Sequence, residues 1–126
     1  MENVLHRKLQ VLVAEDDSIS SYLIEKILKQ FNCTITHAKN GSEVVALCQQ
    51  NPNIDLILMD VKMPYIDGLE ATKQIREFNK EIIIVAQTAF SLIGDKEKAI
   101  EAGCNEHISK PIEQEKLMTI INRYFN

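Results

Sequence analysis

The residues best equipped for chemistry in this chain stand at the ends of short apolar runs. Glu15, Asp16 and Asp17 follow LQVLVA, Asp60 follows IDLILM, Gln87 and Thr88 follow IIIVA, and Lys110 and Pro111 follow EHIS. Carboxylates crowded together repel, and their charged forms persist only with a cation among them. Oxygen ligands of this kind suit Mg²⁺, which keeps several waters and takes one or two carboxylates plus a substrate phosphate. A carboxylate is also a nucleophile toward phosphorus, giving an aspartyl phosphate. Thr88 would add a hydroxyl donor, and Lys110 a compact positive charge, for the phosphoryl oxygens. Together they are the groups needed to move a phosphoryl group onto an aspartate.

Each residue alone is weak evidence. Loops after strands are polar in any α/β protein, Asp17 or Ser18 can cap a helix, and a lysine is most often a surface charge. The joint pattern, with acids after the first and third runs, Thr after the fourth and Lys-Pro after the fifth, is far harder to reach by chance. Other phosphate-binding devices fail on specifics. There is no G-x-x-x-x-G-K-[ST] loop and no G-x-G-x-x-G after the first run. The glycines (Gly41, Gly68, Gly94, Gly103) are spread out. Acids after the first run would also repel a flavin phosphate.

Such groups meet only if the chain brings the ends of its runs together. Five runs read as strands: Leu9 to Ala14, Thr34 to Ala38, Ile54 to Met59, Ile82 to Ala86 and Glu106 to Ser109. The first, third and fourth are rich in Val, Ile and Leu without alternation, as strands covered on both faces are. Their starts lie about 20 to 28 residues apart, the length of one strand-plus-helix unit. Helical patterns fill the gaps. Ser18 caps a helix through about Phe31, with Ile19, Leu23, Ile27 and Phe31 repeating every four residues. Gly41 and Ser42 open a second helix, Asp67 and Gly68 a third, Ser91 a fourth that ends at Gly103, and Glu113 a fifth. A (βα)5 alternation implies one doubly wound α/β domain: a mostly parallel sheet with helices on both faces and right-handed crossovers. Ligands of such sheets bind beyond the carboxyl ends of the strands, where these residues lie.

Composition agrees. The 126 residues carry 18 Asp plus Glu against 14 Lys plus Arg, a net charge of -4, with 45% hydrophobic and 25% charged residues. That is one ordinary globular domain; disorder, low complexity and nucleic-acid binding by charge alone are excluded. Cys33, Cys48 and Cys104 lack disulfide or zinc-site spacing and read as reduced thiols. The N-terminus lacks the apolar core of a signal peptide, and no run approaches the roughly 20 residues of a membrane helix. A cytoplasmic protein without membrane insertion is expected.

The motifs VLVAEDDSIS, LILMDVKMPYIDGLE, VAQTAF and HISKPI resemble the receiver domain of two-component response regulators, over essentially the whole chain. The M-D-x-x-M-P-x-x-D-G frame is the most specific part. The resemblance implies a flavodoxin-like sheet of strand order 2-1-3-4-5, with residues 9–126 as the receiver domain and residues 1–8 as an N-terminal extension. It makes Asp60 the phosphoacceptor, with Asp16 a direct Mg²⁺ ligand, Glu15 acting through water and the Lys62 backbone carbonyl a further ligand. Thr88 becomes the switch hydroxyl, Lys110 the ion-pairing lysine and Pro111 a cis-proline, while Asp17 is a helix cap. The implied activity is acceptance of a phosphoryl group from a phosphohistidine, which biases the domain toward a second conformation. Such a domain is not an enzyme beyond assisting its own phosphorylation and dephosphorylation. The implied partners are a sensor histidine kinase or histidine phosphotransfer domain, and a downstream protein on the fourth and fifth helices.

Four features set this chain apart or leave its context open. Where the family usually has Tyr or Phe, two residues before Ser-Lys-Pro, this chain has His107, either a half-buried histidine at a strand edge or a titratable switch. Neither Lys62, two past Asp60, nor Phe90, two past Thr88, can orient an attacking water, so slow self-dephosphorylation is expected; Ala89 leaves a phosphodonor room. Ile19 is expected in the core, and Tyr22 either there or on a surface that docks the donor's helix bundle. With only Phe125 and Asn126 after the fifth helix, no output domain is expected. The chain is a stand-alone receiver or, as its acid pair and M-P-Y-I-D-G-L-E-A-T frame favour, part of a hybrid sensor kinase whose parent is membrane-anchored. A metal-dependent hydrolase with an aspartyl-phosphate intermediate would need an acid at Lys62, and a phosphorylation-independent contact domain would lack site residues.

Overall fold

In the computed structural model, residues 8–89 and 93–125 are described. Strands and helices alternate: β1 (Leu9–Ala14), α1 (Ser18–Leu28), β2 (Cys33–Ala38), α2 (Gly41–Gln50), β3 (Leu56–Asp60), α3 (Gly68–Arg76), β4 (Ile83–Thr88), α4 (Asp95–Ala102), β5 (Glu106–Ser109) and α5 (Gln114–Phe125). The strands form one sheet in the order β2-β1-β3-β4-β5, and every pairing is parallel. The order expected from the resemblance is the order found. Among the described residues, no helix is long and apolar enough to cross a membrane.

Period-two alternation splits the strand side chains between two cores. Leu12, Ile57, Met59, Ile84 and Ala86 pack with Val44 and Cys48 of α2, Ala71 and Ile75 of α3 and Ala99 of α4. On the other face, Val11, Val13, Leu56, Leu58, Val85 and Ile108 pack with Ile24 and Leu28 of α1 and with Leu117 and Ile121 of α5. Central β3 is buried at every position, whereas edge strand β2 alternates. The unbroken apolar reading of the central strands therefore reflects helices on both faces.

Element ends moved for identifiable reasons. α1 stops at Leu28 because the chain tightens into three-residue turns, Gln30 N–H to Ile27 O at 3.2 Å and Phe31 N–H to Leu28 O at 2.9 Å. Phe31 leaves the helix and stays in the core. The cap of α1 is Asp17, whose side chain accepts from Ser20 N–H, and Ser18 is the first helical residue. Glu113 stands just before α5, accepting Leu117 N–H at 3.1 Å. The described part of α4 begins at Asp95 after Gly94 in the left-handed region, and Ser91, the expected start, lies outside the described residues.

Two ends matter for the site. β3 runs on to Asp60 and β4 to Thr88, so Asp60, Gln87 and Thr88 are the last rungs of strands rather than loop residues. The register sets Asp60 beside Gln87, and Thr88 beside Ser109. α3 begins against this rung. Asp67 caps it, Gly68 N–H donates to Val61 O at 2.8 Å, and a methyl group on Gly68 would be driven into the Asp60 carbonyl oxygen. Gly68→Ala should cost about 1–3 kcal/mol in a urea unfolding experiment; an unchanged midpoint would contradict this close approach.

Candidate functional site

The site is a meeting of strand ends. Val11 and Val13 face α1 and α5, and Glu15 continues that alternation one residue beyond β1, its N–H donating to Ala38 O at 3.0 Å. The same period carries Leu56 and Leu58 to Asp60. Both acids are buried, at 4% and 5% exposure. Lys110, one residue past β5, reaches both: its Nζ is 2.6 Å from Glu15 Oε1 and 3.1 Å from Asp60 Oδ2. The Lys62 N–H donates to Asp60 Oδ1 at 3.3 Å, and the Asp17 N–H to Glu15 Oε2 at 3.2 Å. The Lys110–Pro111 peptide is cis, as the resemblance implies.

Glu15, Asp16 and Asp60 each present an oxygen, all within 4.8 Å of one another, with Asp16 exposed at the rim. Two of the three, Glu15 and Asp60, share the Lys110 ammonium. Hard oxygen donors converging so closely suit one small hard divalent cation. Asp17 stands apart as the α1 cap, and the Ser20 backbone N–H on its carboxylate lowers its pKa.

Burial raises the Glu15 pKa, with the Lys110 hydrogen bond opposing the rise and Asp60 adding to it. For Lys110, burial disfavours the ammonium, but its bonds to Glu15 and Asp60 outweigh that and raise its pKa. Charge repulsion between the acids is therefore relieved by one lysine, and incompletely.

Thr88 and His107 form the second cluster. Their side chains are joined at 2.9 Å, Thr88 Oγ1 to His107 Nε2, and both are half-buried. Between Asp60 and Thr88 opens a cavity of about 330 Å³, its rim including Lys62, Ala89, Asp95 and Lys98. No motif marks Asp95 and Lys98 in the sequence; the first turn of α4 brings them to this rim. Phe90, expected beside the site, lies outside the described residues. Ile19, expected in the core, is 69% exposed on α1, in the same stretch as exposed Tyr22 and Leu23. Helical spacing suggested an inward face, but α1 places Ile24 and Leu28 inward instead.

Two further residues have surroundings that the sequence does not disclose. Gln87 is fully buried, and among the described residues neither atom of its carboxamide has a hydrogen-bond partner. Tyr65, in the loop between β3 and α3, has φ 70° and is 87% exposed. A non-glycine residue there costs roughly 1–2 kcal/mol.

Residues 11–122 match the family described as response regulator receiver domain. The chain belongs to that family. This receiver domain is 40% identical over 121 residues to hybrid signal transduction histidine kinase I of Dictyostelium discoideum, covering 90% of the chain but only 7% of that relative. Its structure is similar to that of the receiver domain of Ssk1, crystallised with the histidine phosphotransfer protein Ypd1 of Saccharomyces cerevisiae. The TM-score is 0.87 with 34% identity, covering 94% of this chain and 89% of that one. It is also similar to the receiver domain of a sensor histidine kinase from Pseudomonas aeruginosa PAO1, described with a magnesium ion coordinated in the active site cleft. There the TM-score is 0.85 with 31% identity, covering 94% of this chain and 98% of that one. The fold is that of flavodoxin-like receivers, and the chain is a receiver domain of two-component phosphorelay signalling.

The raised Glu15 pKa has a measurable consequence. A carboxyl whose folded pKa exceeds its unfolded value keeps its proton longer in the folded state, so folding stability declines as pH rises through that window. Urea unfolding of the metal-free protein from about pH 4.5 to about pH 7.5 should show this decline. Glu15→Gln should flatten it, and an equal decline in the variant would contradict the assignment.

Proposed function

We propose that Asp60 accepts a phosphoryl group from a phosphohistidine on a partner protein. The observation that carries this reading is the Asp60 carboxylate itself. It is buried at the floor of an open cavity, with Lys110 Nζ on one oxygen and the Lys62 N–H on the other. Attack of an Asp60 oxygen on phosphorus forms the P–O bond as the P–N bond to the donor imidazole breaks, and the imidazole leaves with the bonding electrons and takes a proton. Lys110 and the Thr88 hydroxyl then serve the phosphoryl oxygens.

Glu15, Asp16, Asp60 and the backbone carbonyl of Lys62 would hold Mg²⁺, in accord with the convergence of the three carboxyl groups. When bound, the ion neutralises charge between the carboxylate and the incoming phosphoryl group. The chain's own part is to orient Asp60 and to keep Lys110 within reach. The domain assists its own phosphorylation and dephosphorylation and is not otherwise an enzyme. Lys62 offers no carboxylate or carboxamide to position a water, which supports a long-lived phosphoryl group.

The donor is a sensor histidine kinase or a histidine phosphotransfer domain. Exposed Ile19, Tyr22 and Leu23 on α1 support docking of a helical partner beside the site. Exposed Ile93 and Ile100, at α4, support a downstream protein contact there, without direct nucleic-acid binding. The domain spans residues 9–126 after an extension at residues 1–8. It works in the cytoplasm, as a part of a hybrid kinase with a membrane-anchored parent or as a separate receiver.

Incubation with Mg²⁺ and a small acyl-phosphate donor should add one phosphoryl group by mass, lost in Asp60→Asn and in the absence of the metal. Rapid donor turnover without an adduct would identify a hydrolase instead, and neither adduct nor turnover would refute phosphoacceptance. The adduct should outlast the seconds timescale, and decay within seconds would contradict the role given to Lys62.

A further inference from the structure

Thr88 closes β4 and His107 is the second residue of β5. Ala86 pairs with His107 and Thr88 with Ser109, so period two sets Thr88 and His107 on the same face as diagonal neighbours. The outcome is the 2.9 Å hydrogen bond between Thr88 Oγ1 and His107 Nε2. A phenylalanine at position 107 would offer the hydroxyl nothing. The imidazole offers a nitrogen, and so it takes part in deciding what that hydroxyl does.

A threonine hydroxyl has one hydrogen to donate and two lone pairs. When the imidazole carries its proton on Nδ1, Nε2 is an acceptor and the only Thr88 hydroxyl hydrogen is committed to it. When Nε2 carries a proton, it donates to a lone pair of Oγ1, and the Thr88 hydrogen is free for another acceptor. A phosphoryl oxygen on Asp60 is anionic, and hydrogen bonds to charged acceptors are roughly twice as strong as neutral ones. The two acceptors compete for one hydrogen.

We propose that His107 is a positioning residue for Thr88: the hydroxyl serves a phosphoryl group on Asp60 only once Nε2 of His107 has changed from acceptor to donor. This rests on Asp60 being the phosphoacceptor. No atom is gained or lost at Thr88; the proton on Nε2 comes from solvent or by tautomer exchange, and the hydroxyl hydrogen turns toward the phosphoryl oxygen. By reciprocity, the phosphoryl group favours the Nε2-protonated ring, and acid favours the switched state. The charged groups around the Thr88 end of this pair are Asp60, Lys62 and Lys110, with Asp95 and Lys98 of α4, while Glu106 lies on the opposite, α5-facing side of β5 together with Arg123. Glu106 is itself held by Arg123 at 2.8 Å and by the Tyr124 hydroxyl at 2.7 Å.

The test is histidine-selective ¹⁵N NMR on the whole chain with Mg²⁺, before and after addition of beryllofluoride as the phosphoryl mimic. His107 Nε2 should move from an acceptor to a protonated chemical shift. Affinity for the mimic should be roughly fivefold or more tighter near pH 6 than near pH 8. His107→Phe should still form the Asp60 adduct but lose that pH dependence. His107→Gln, whose amide donates without titrating, should switch equally at both pH values. A nitrogen that remains an acceptor with the mimic bound, or a pH dependence that survives in His107→Phe, overturns the proposal while leaving phosphoacceptance intact. Absence of any adduct with a phosphodonor in the wild type overturns both.

Discussion

The constraint on which the rest of this structure depends is the meeting of Glu15 and Asp60 under a single lysine. Two carboxylic acids with almost no exposure stand close together, and Lys110 lies within 2.6 Å of one and 3.1 Å of the other. Removing one partner from such a buried arrangement typically costs about 3–5 kcal/mol, because charges are left without compensation. One ammonium does not balance the set once Asp16 is counted, and the Glu15 pKa is pulled up first by burial and then by neighbouring Asp60. The site therefore carries a standing demand for positive charge, which a divalent cation would meet.

The fold exists, in functional terms, to impose that encounter. Parallel pairing sends all five strands to the same edge, and the in-register ladders set Asp60 beside Gln87 and Thr88 beside Ser109. Apolar side chains beneath both faces hold the rungs, so the polar ends are positioned by a rigid sheet rather than by loops. Gly68 lets α3 start directly against the Asp60 carbonyl, and the Asp17 cap starts α1 beside Glu15. Gln87, the rung neighbour of Asp60, is fully buried beside this network.

The sequence made much of this legible, and the reasons are physical. Central strands announced themselves because burial on both faces demands unbroken Val, Ile and Leu, and Asp67 and Gly68 marked α3 by cap chemistry. Glu15, Asp16, Asp60, Thr88 and Lys110 could be proposed together because strand ends must share one edge. What escaped depends on geometry that no spacing encodes. The tightening after Leu28 frees Phe31 from its helix, and the rotation of α1 exposes Ile19. The bond from Thr88 to His107 follows from the β4–β5 register, which is invisible until the ladder is drawn. His107 could be flagged as unusual, but its partner could not be named.

The most direct test of the central claim is a carboxyl ¹³C NMR titration of Glu15 with and without Mg²⁺. Two buried acids sharing one lysine require that the metal-free titration midpoint lie above the ordinary glutamate value and that saturating Mg²⁺ bring it down to that value or below. A Glu15 carboxyl that titrates as an ordinary exposed glutamate, or one whose midpoint Mg²⁺ leaves unmoved, would contradict the account.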